Sequence, residues 1–193
     1  VNGLHYDDYV LPVNDRTYHL INTTVQTWNL YPSDTANVTV SSSIFGELCA
    51  YANSYVTIMN AYCDGSGGHL EAANSAFLLV GFSSIFADII TKNRGLCVVG
   101  YCAMPMGSIW TTGGSVMIIV NTQFPEDPVP SDTSIVFVAA VTAPSSAAID
   151  DTVAVIGSAW IDRGPYQVVD FGFYRMSFRQ VGDTAWIPLG DSN

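Results

Sequence analysis

Short runs in which apolar residues alternate with small or polar ones recur from Thr17 to Leu189, broken by clusters of Gly, Pro, Asn, Asp and Ser. A period of two puts every second side chain on one face, the pattern of a half-buried strand. The runs are rich in Val, Ile, Thr, Tyr and Phe, and they predict strands over 17–21, 25–30, 37–40, 54–62, 76–82, 95–103, 115–121, 134–141, 152–158, 166–178 and 185–189. Two segments depart from this period. Residues 43–52 carry apolar side chains at 44, 45, 48, 49 and 52, which fits a short helix capped by Ser43. Residues 86–91 fit a second short helix, with Lys92 near the negative end of its dipole. The reading is all-β: an antiparallel β-sandwich, jelly-roll-like, with one or two short helices.

Two loops stand out. Cys63-Asp64-Gly65-Ser66-Gly67-Gly68-His69 requires positive φ at several positions. Phe124 to Asp132 carries Pro125, Pro128 and Pro130, which cannot donate to a ladder. Neither loop divides the chain and no internal repeat is evident, so residues 1–193 read as one domain. The chain opens on Val1 rather than Met, which points to a processed product or an excised domain.

Composition changes this picture in one respect. The chain is 49% hydrophobic but only 12% charged, against about 25% charged in ordinary soluble domains. Disorder is excluded by so much apolar material, and no run reaches the ~18 apolar residues of a membrane-spanning helix. The net charge is −11, with Lys92 the single lysine and five scattered arginines. That is no phosphate-binding footprint, so no direct grip on nucleic acid is expected. A subunit that buries surface against siblings can carry few charges, which predicts self-association.

Chemistry is harder to place. Cys97 and Cys102, five extended residues apart, lie about 16 Å from each other and beyond disulfide reach. Cys49 and Cys63 sit in apolar company, so four free thiols are expected. No C-x2-C or H-x3-H spacing marks zinc, and no metal or other cofactor is expected. Ser83 and Ser158 lack the second glycine of a nucleophile elbow. His19 reads as a half-buried structural residue. The pairs Asp7-Asp8, Glu126-Asp127 and Asp150-Asp151 read as solvated charge, since neighbours on a strand face opposite ways. No catalytic residue is assigned. An enzyme would need His69 or an acid pair to converge with other polar groups.

Ten tyrosines, nine phenylalanines and four tryptophans are abundant for so uncharged a chain. Trp28, Trp160 and Trp186 read as core, whereas Trp110, in a turn-like Ser108–Gly114 segment, is the candidate surface contact. Asn22-Thr23-Thr24 and Asn37-Val38-Thr39 match the N-glycosylation pattern, making Asn22 and Asn37 candidate acceptors in a secretory setting.

The order of these features resembles jelly-roll capsid or surface (spike) proteins of small non-enveloped viruses. The helix-then-strand passage over 43–62 carries the resemblance, as does Gly114-Ser115-Val116-Met117-Ile118-Ile119-Val120 followed by Pro125-Glu126-Asp127-Pro128-Val129-Pro130-Ser131. The chain departs from the pattern in having no basic arm and more than eight strand segments. The resemblance implies a structural, non-enzymatic protein of the virion that assembles with sibling subunits and contributes to attachment to a host receptor or glycan. A secreted lectin-like adhesin or fibre tip is the extracellular alternative, and a β-sandwich hydrolase the second.

Overall fold

The computed structural model describes residues 5–6, 16–25, 30–65, 68–143, 156–163, 174–178 and 187–192. After β1 (His5–Tyr6), the chain winds through successive turns of a coil. The turns supply β2 (Thr17–Ile21) and β3 (Thr24–Val25); β4 (Asn37–Ser41), β5 (Ile44–Phe45) and β6 (Leu48–Ala50); β7 (Tyr55–Met59), β8 (Tyr62–Cys63) and β9 (His69–Ala73). Next come β10 (Phe77–Gly81), β11 (Ser84–Ile85) and β12 (Asp88–Lys92); β13 (Leu96–Gly100) and β14 (Ile109–Thr111); β15 (Val116–Val120) and β16 (Val129–Pro130); and β17 (Ile135–Ala143). Strand β18 (Ile156–Arg163) folds back antiparallel on β17, and β19 (Tyr174–Phe178) pairs antiparallel with β20 (Ile187–Ser192).

Each turn adds a strand in parallel register to the turn before it. The first sheet runs β2-β4-β7-β10-β13-β15-β17 and is closed by β18; the second runs β1-β3-β5-β8-β11; the third runs β6-β9-β12-β14-β16. The molecule is therefore a parallel β-solenoid of about 6 turns, not an antiparallel jelly-roll sandwich. Among the described residues there is no helix. Residues 43–52 form β5 and β6, and residues 86–91 run into β12. Of the apolar residues in helix-like spacing over 43–52, Phe45 and Leu48 face the core from two different sheets, while Ile44 is exposed and Ala52 half-buried.

The repeat missed in the sequence is plain in space. The strands of the first sheet begin at Thr17, Asn37, Tyr55, Phe77, Leu96, Val116 and Ile135, about twenty residues apart, a repeat length usual for solenoids. Inside, like stacks on like. Val38, Val56, Leu78, Cys97, Met117 and Val136 form one registered column, and Val40, Ile58, Val80, Val99, Ile119 and Val138 a second. Leu48, Leu70, Ile89 and Ile109 line the third sheet opposite them. All are fully or nearly fully buried.

Corners are set by backbone hand. Asn22, Ser42, Asn60, Phe82, Tyr101 and Asn121 end the strands of the first sheet, all at positive φ. The following residues, Thr23, Ser43, Ala61, Ser83, Cys102 and Thr122, turn small side chains inward. Where the side chain is a hydroxyl, it replaces hydrogen bonds that the bend interrupts. Ser83 Oγ donates to the Gly81 carbonyl at 2.8 Å and accepts the Ala61 N–H at 3.2 Å. Ser43 does the same for the Ser41 carbonyl and the Thr23 N–H, at 2.7 and 3.1 Å. Replacing Ser83 by alanine orphans a buried N–H, and the expected loss is about 1–3 kcal/mol in urea unfolding. The Gly-rich loop behaves as expected at Gly65, where φ is 71° and an added Cβ would collide with the Phe86 carbonyl. In the Pro-rich loop, Pro130 sits on the edge strand β16, where a missing N–H is tolerated.

All four cysteines are free and buried, in agreement with the sequence reading.

Candidate functional site

Two places on the solenoid gather side chains that a bare scaffold does not need. The first is an aromatic corner that continues onto the second sheet. Phe82 and Tyr101 occupy the same corner on successive turns, are 60% and 55% exposed, and stack with ring centroids 5.1 Å apart and planes within 6°. Both hold positive φ, which is disfavoured for a bulky side chain. The equivalent corners carry Ser42 and the asparagines Asn22, Asn60 and Asn121, the latter a residue type that adopts this conformation readily.

Two residues beyond each aromatic, Ser84 and Ala103 line a pocket of about 340 Å³ together with Phe86, Met104, Phe124 and Pro125. Gln123 supplies a polar group to the same wall. Phe86 leans on exposed Tyr62, with centroids 5.2 Å apart. The result is a stacked aromatic pair beside a shallow, mainly apolar cleft with a few polar groups, at the lower end of the ~300–1,000 Å³ range of small-molecule sites.

The second place is a polar pocket on the outer side of the third sheet. Leu48, Ala50, Leu70 and Ala72 face the core, so Cys49 and Glu71, which lie between them in register, face outward. Both are nevertheless 1% exposed. Glu47 precedes β6, His69 opens β9, and Lys92 ends β12, one turn further on. Cys49 Sγ lies 3.2 Å from Glu47 Oε1 and 3.5 Å from His69 Nε2. The same imidazole nitrogen is 3.2 Å from Glu71 Oε2 and 3.5 Å from Glu47 Oε1. Lys92 Nζ reaches Glu71 Oε2 at 2.7 Å, while Glu71 Oε1 is buried and accepts no hydrogen bond. Burial, reinforced by Glu47, holds the Cys49 thiol far above its ordinary range. Burial, then the charges of Cys49 and Glu71, raises the Tyr51 hydroxyl.

A protonated, shielded thiol is a poor nucleophile, so this is not an activated cysteine. In a Cys–His–acid catalytic arrangement the two ring nitrogens divide the work, one toward sulfur and one toward the carboxylate. Here Nε2 alone faces sulfur and both carboxylates.

The sequence-predicted residues scatter. Trp110 is exposed as expected (55%), but on strand β14 of the third sheet rather than in a turn, away from the aromatic corner. Asn22 is exposed at a corner and Asn37 is exposed at the start of β4. His19 is exposed on β2 rather than half-buried. Ser83 is a buried corner hydroxyl, Ser158 is exposed on β18, and Glu126 and Asp127 are exposed. Asp7, Asp8, Trp28, Asp150, Asp151 and Trp186, and the side chain of Trp160, lie outside the described residues. His69 does converge with other polar groups. Glu71 is two residues away, but Glu47 and Cys49 lie about one repeat away in the chain, which is why motif spacing missed them. Comparison with protein-family models, curated proteins and solved structures yields no match to this chain.

Proposed function

We propose that this chain is a structural attachment module: a rigid rod that binds a glycan on its aromatic corner and performs no chemistry on it. The observation that supports this most is the Phe82–Tyr101 pair. Two large rings occupy corners where asparagine would be less strained, and both are presented to solvent as a flat, stacked surface. Apolar sugar faces lie well on such rings, and Ser84 and Gln123 are placed beside them to hydrogen-bond hydroxyls. A shell subunit built on a jelly roll is no longer available to this reading. A spike or fibre on a non-enveloped particle, or a secreted adhesin, requires only a stiff solenoid with an exposed contact surface.

The test is a glycan array probed with the parent chain and with the double variant Phe82→Asn, Tyr101→Asn. Asparagine keeps the corner conformation, so thermal stability should hold or rise while glycan signal falls more than about tenfold, a loss of roughly 1.4 kcal/mol. An array signal that survives the double variant removes the reading.

A second observation favours self-association as well. On the outer side of the first sheet, Thr39 and Thr57 give way in register to Leu79, Val98, Ile118 and Phe137. Such an apolar column suits a sibling chain. Light scattering should then show a mass above 20.8 kDa that returns to the monomer value when Val98 and Ile118 are replaced by lysine.

A further inference from the structure

We propose that Glu47, Cys49 and His69 form a three-ligand binding site for a divalent metal ion of the zinc type, with Glu71 beside them against His69 and the fourth tetrahedral position open to solvent. This is independent of glycan binding and lies on a different sheet.

The first argument is one of valence. His69 Nε2 has Cys49 Sγ, Glu47 Oε1 and Glu71 Oε2 within 3.2–3.5 Å. A hydrogen on that nitrogen satisfies one of the three at most. A metal ion in their midst engages sulfur, nitrogen and oxygen together.

The second argument is metric. Zinc bonds of about 2.3 Å to sulfur and 2.0–2.1 Å to nitrogen or oxygen imply tetrahedral edges of roughly 3.3–3.6 Å. The three edges of the Glu47–Cys49–His69 triangle are 3.2, 3.5 and 3.5 Å. The ligand atoms are already at coordination spacing.

The third argument comes from Glu71. Its side chain is 1% exposed and its Oε1 has no hydrogen-bond partner. A carboxylate oxygen so placed is costly unless something cationic meets it. Lys92 meets the other oxygen, and a metal ion held by Glu47, Cys49 and His69 supplies further positive charge beside this carboxylate.

Charge closes the account. Binding breaks the Cys49 S–H bond, forms a metal–sulfur bond and releases the proton to solvent. Two carboxylates and one thiolate then face Lys92 and a dication, and the pocket is neutral. The His69 side chain, 30% exposed, is the access side.

Cobalt(II) reports on this site because thiolate coordination produces a charge-transfer band and a tetrahedral ligand field gives strong visible d–d bands. The full chain, treated with a chelator and then titrated with cobalt chloride, should develop both at one equivalent, and zinc chloride should abolish them. Cys49→Ser should remove the charge-transfer band. Loss of groups outside the first coordination sphere already weakens metal binding 10–100-fold, so Cys49→Ser and His69→Ala should each weaken cobalt binding by at least about 100-fold. Glu71→Gln should weaken it less. Cys97→Ala, a core thiol on another sheet, should leave both bands intact. Circular dichroism identifies any variant that fails to fold, and Glu47→Gln then takes its place. A folded parent chain that shows no cobalt–thiolate band, or a Cys49→Ser variant that keeps it, overturns the site.

Discussion

Leu78→Ala should lower unfolding stability by about 2–5 kcal/mol, measured by urea titration with circular dichroism. Leu78 is fully buried in the middle of a column, with Val56 stacked on one side and Cys97 on the other. Truncation removes apolar burial and leaves a cavity that two flanking strands cannot close, because their register is fixed by ladder hydrogen bonds on both edges. A domain of ordinary stability has about 5–15 kcal/mol in total, so the loss is a large share. The consequence is also topological. A solenoid is stabilised by nearest-neighbour contacts between turns, and weakening a central turn uncouples the two halves. The variant's transition should therefore broaden as well as shift. Leu20→Ala, on β2 at the end of the described first sheet, should cost less and leave the transition sharp, because among the described strands of that sheet β2 pairs with β4 alone. A central change no larger than the terminal one would contradict the stacked-column description of the core.

That core was half legible in the sequence. Alternation over 37–40, 76–82, 115–121 and 134–141 locates strands in the right places, since period two follows from pleating whichever way the neighbours run. Strand direction leaves no such trace. Val56, Leu78 and Cys97 would alternate inward equally well in a hairpin, and only the connections distinguish the cases. Antiparallel neighbours are joined by loops of two to five residues, whereas here the chain visits two other sheets before returning. The clue lay in corner residues rather than strand residues. Asn22-Thr23, Ser42-Ser43, Asn60-Ala61, Phe82-Ser83, Tyr101-Cys102 and Asn121-Thr122 recur about every twenty positions, each a left-handed residue before a small inward one. Their identities differ too much for the repeat to be seen as sequence similarity, although their conformations agree closely.

The same reasoning explains what was missed at the sites. Glu47, Cys49, His69 and Glu71 meet because β6 and β9 lie side by side in register, which places residues one turn apart in contact. Ligand motifs such as C-x2-C describe sites built within one loop, and they say nothing about sites built across a ladder. Trp110 was legible as exposed because the Ser108–Gly114 segment around it is turn-like, but its strand setting was hidden by the glycines that follow. Phe82 and Tyr101 escaped notice since nothing in the sequence marks a left-handed aromatic.

Raising the pH from 8 to 10.5 should remove a large share of the chain's stability, and buried thiols are the reason. The Cys63 thiol is pushed up to about 12, chiefly by burial. Burial also raises Cys97 and Cys102 above the ordinary value of 9.0. Below pH 9 the thiols are protonated in folded and unfolded chains alike, and their contribution to stability is fully present. Above pH 9 the unfolded chain releases these protons while the folded chain retains them. Proton release then favours unfolding, by up to about 1.4 kcal/mol per pH unit for each thiol. For Cys63 the loss continues up to about pH 12. Two such groups, Cys63 and Cys97, acting over one and a half units amount to roughly 4 kcal/mol, a large share of the stability of a typical domain, and Cys102 acts in the same direction. Urea midpoints measured between pH 8 and 10.5 should fall steeply, and replacing Cys63, Cys97 and Cys102 by alanine should flatten the slope even though it lowers stability at pH 8. The same burial predicts that a thiol reagent labels none of these three cysteines in the native chain at pH 8 and all of them in denaturant. Rapid native labelling of Cys97, which lies between Leu78 and Met117 in the innermost column, would show that the turns do not stack as closely as their register requires.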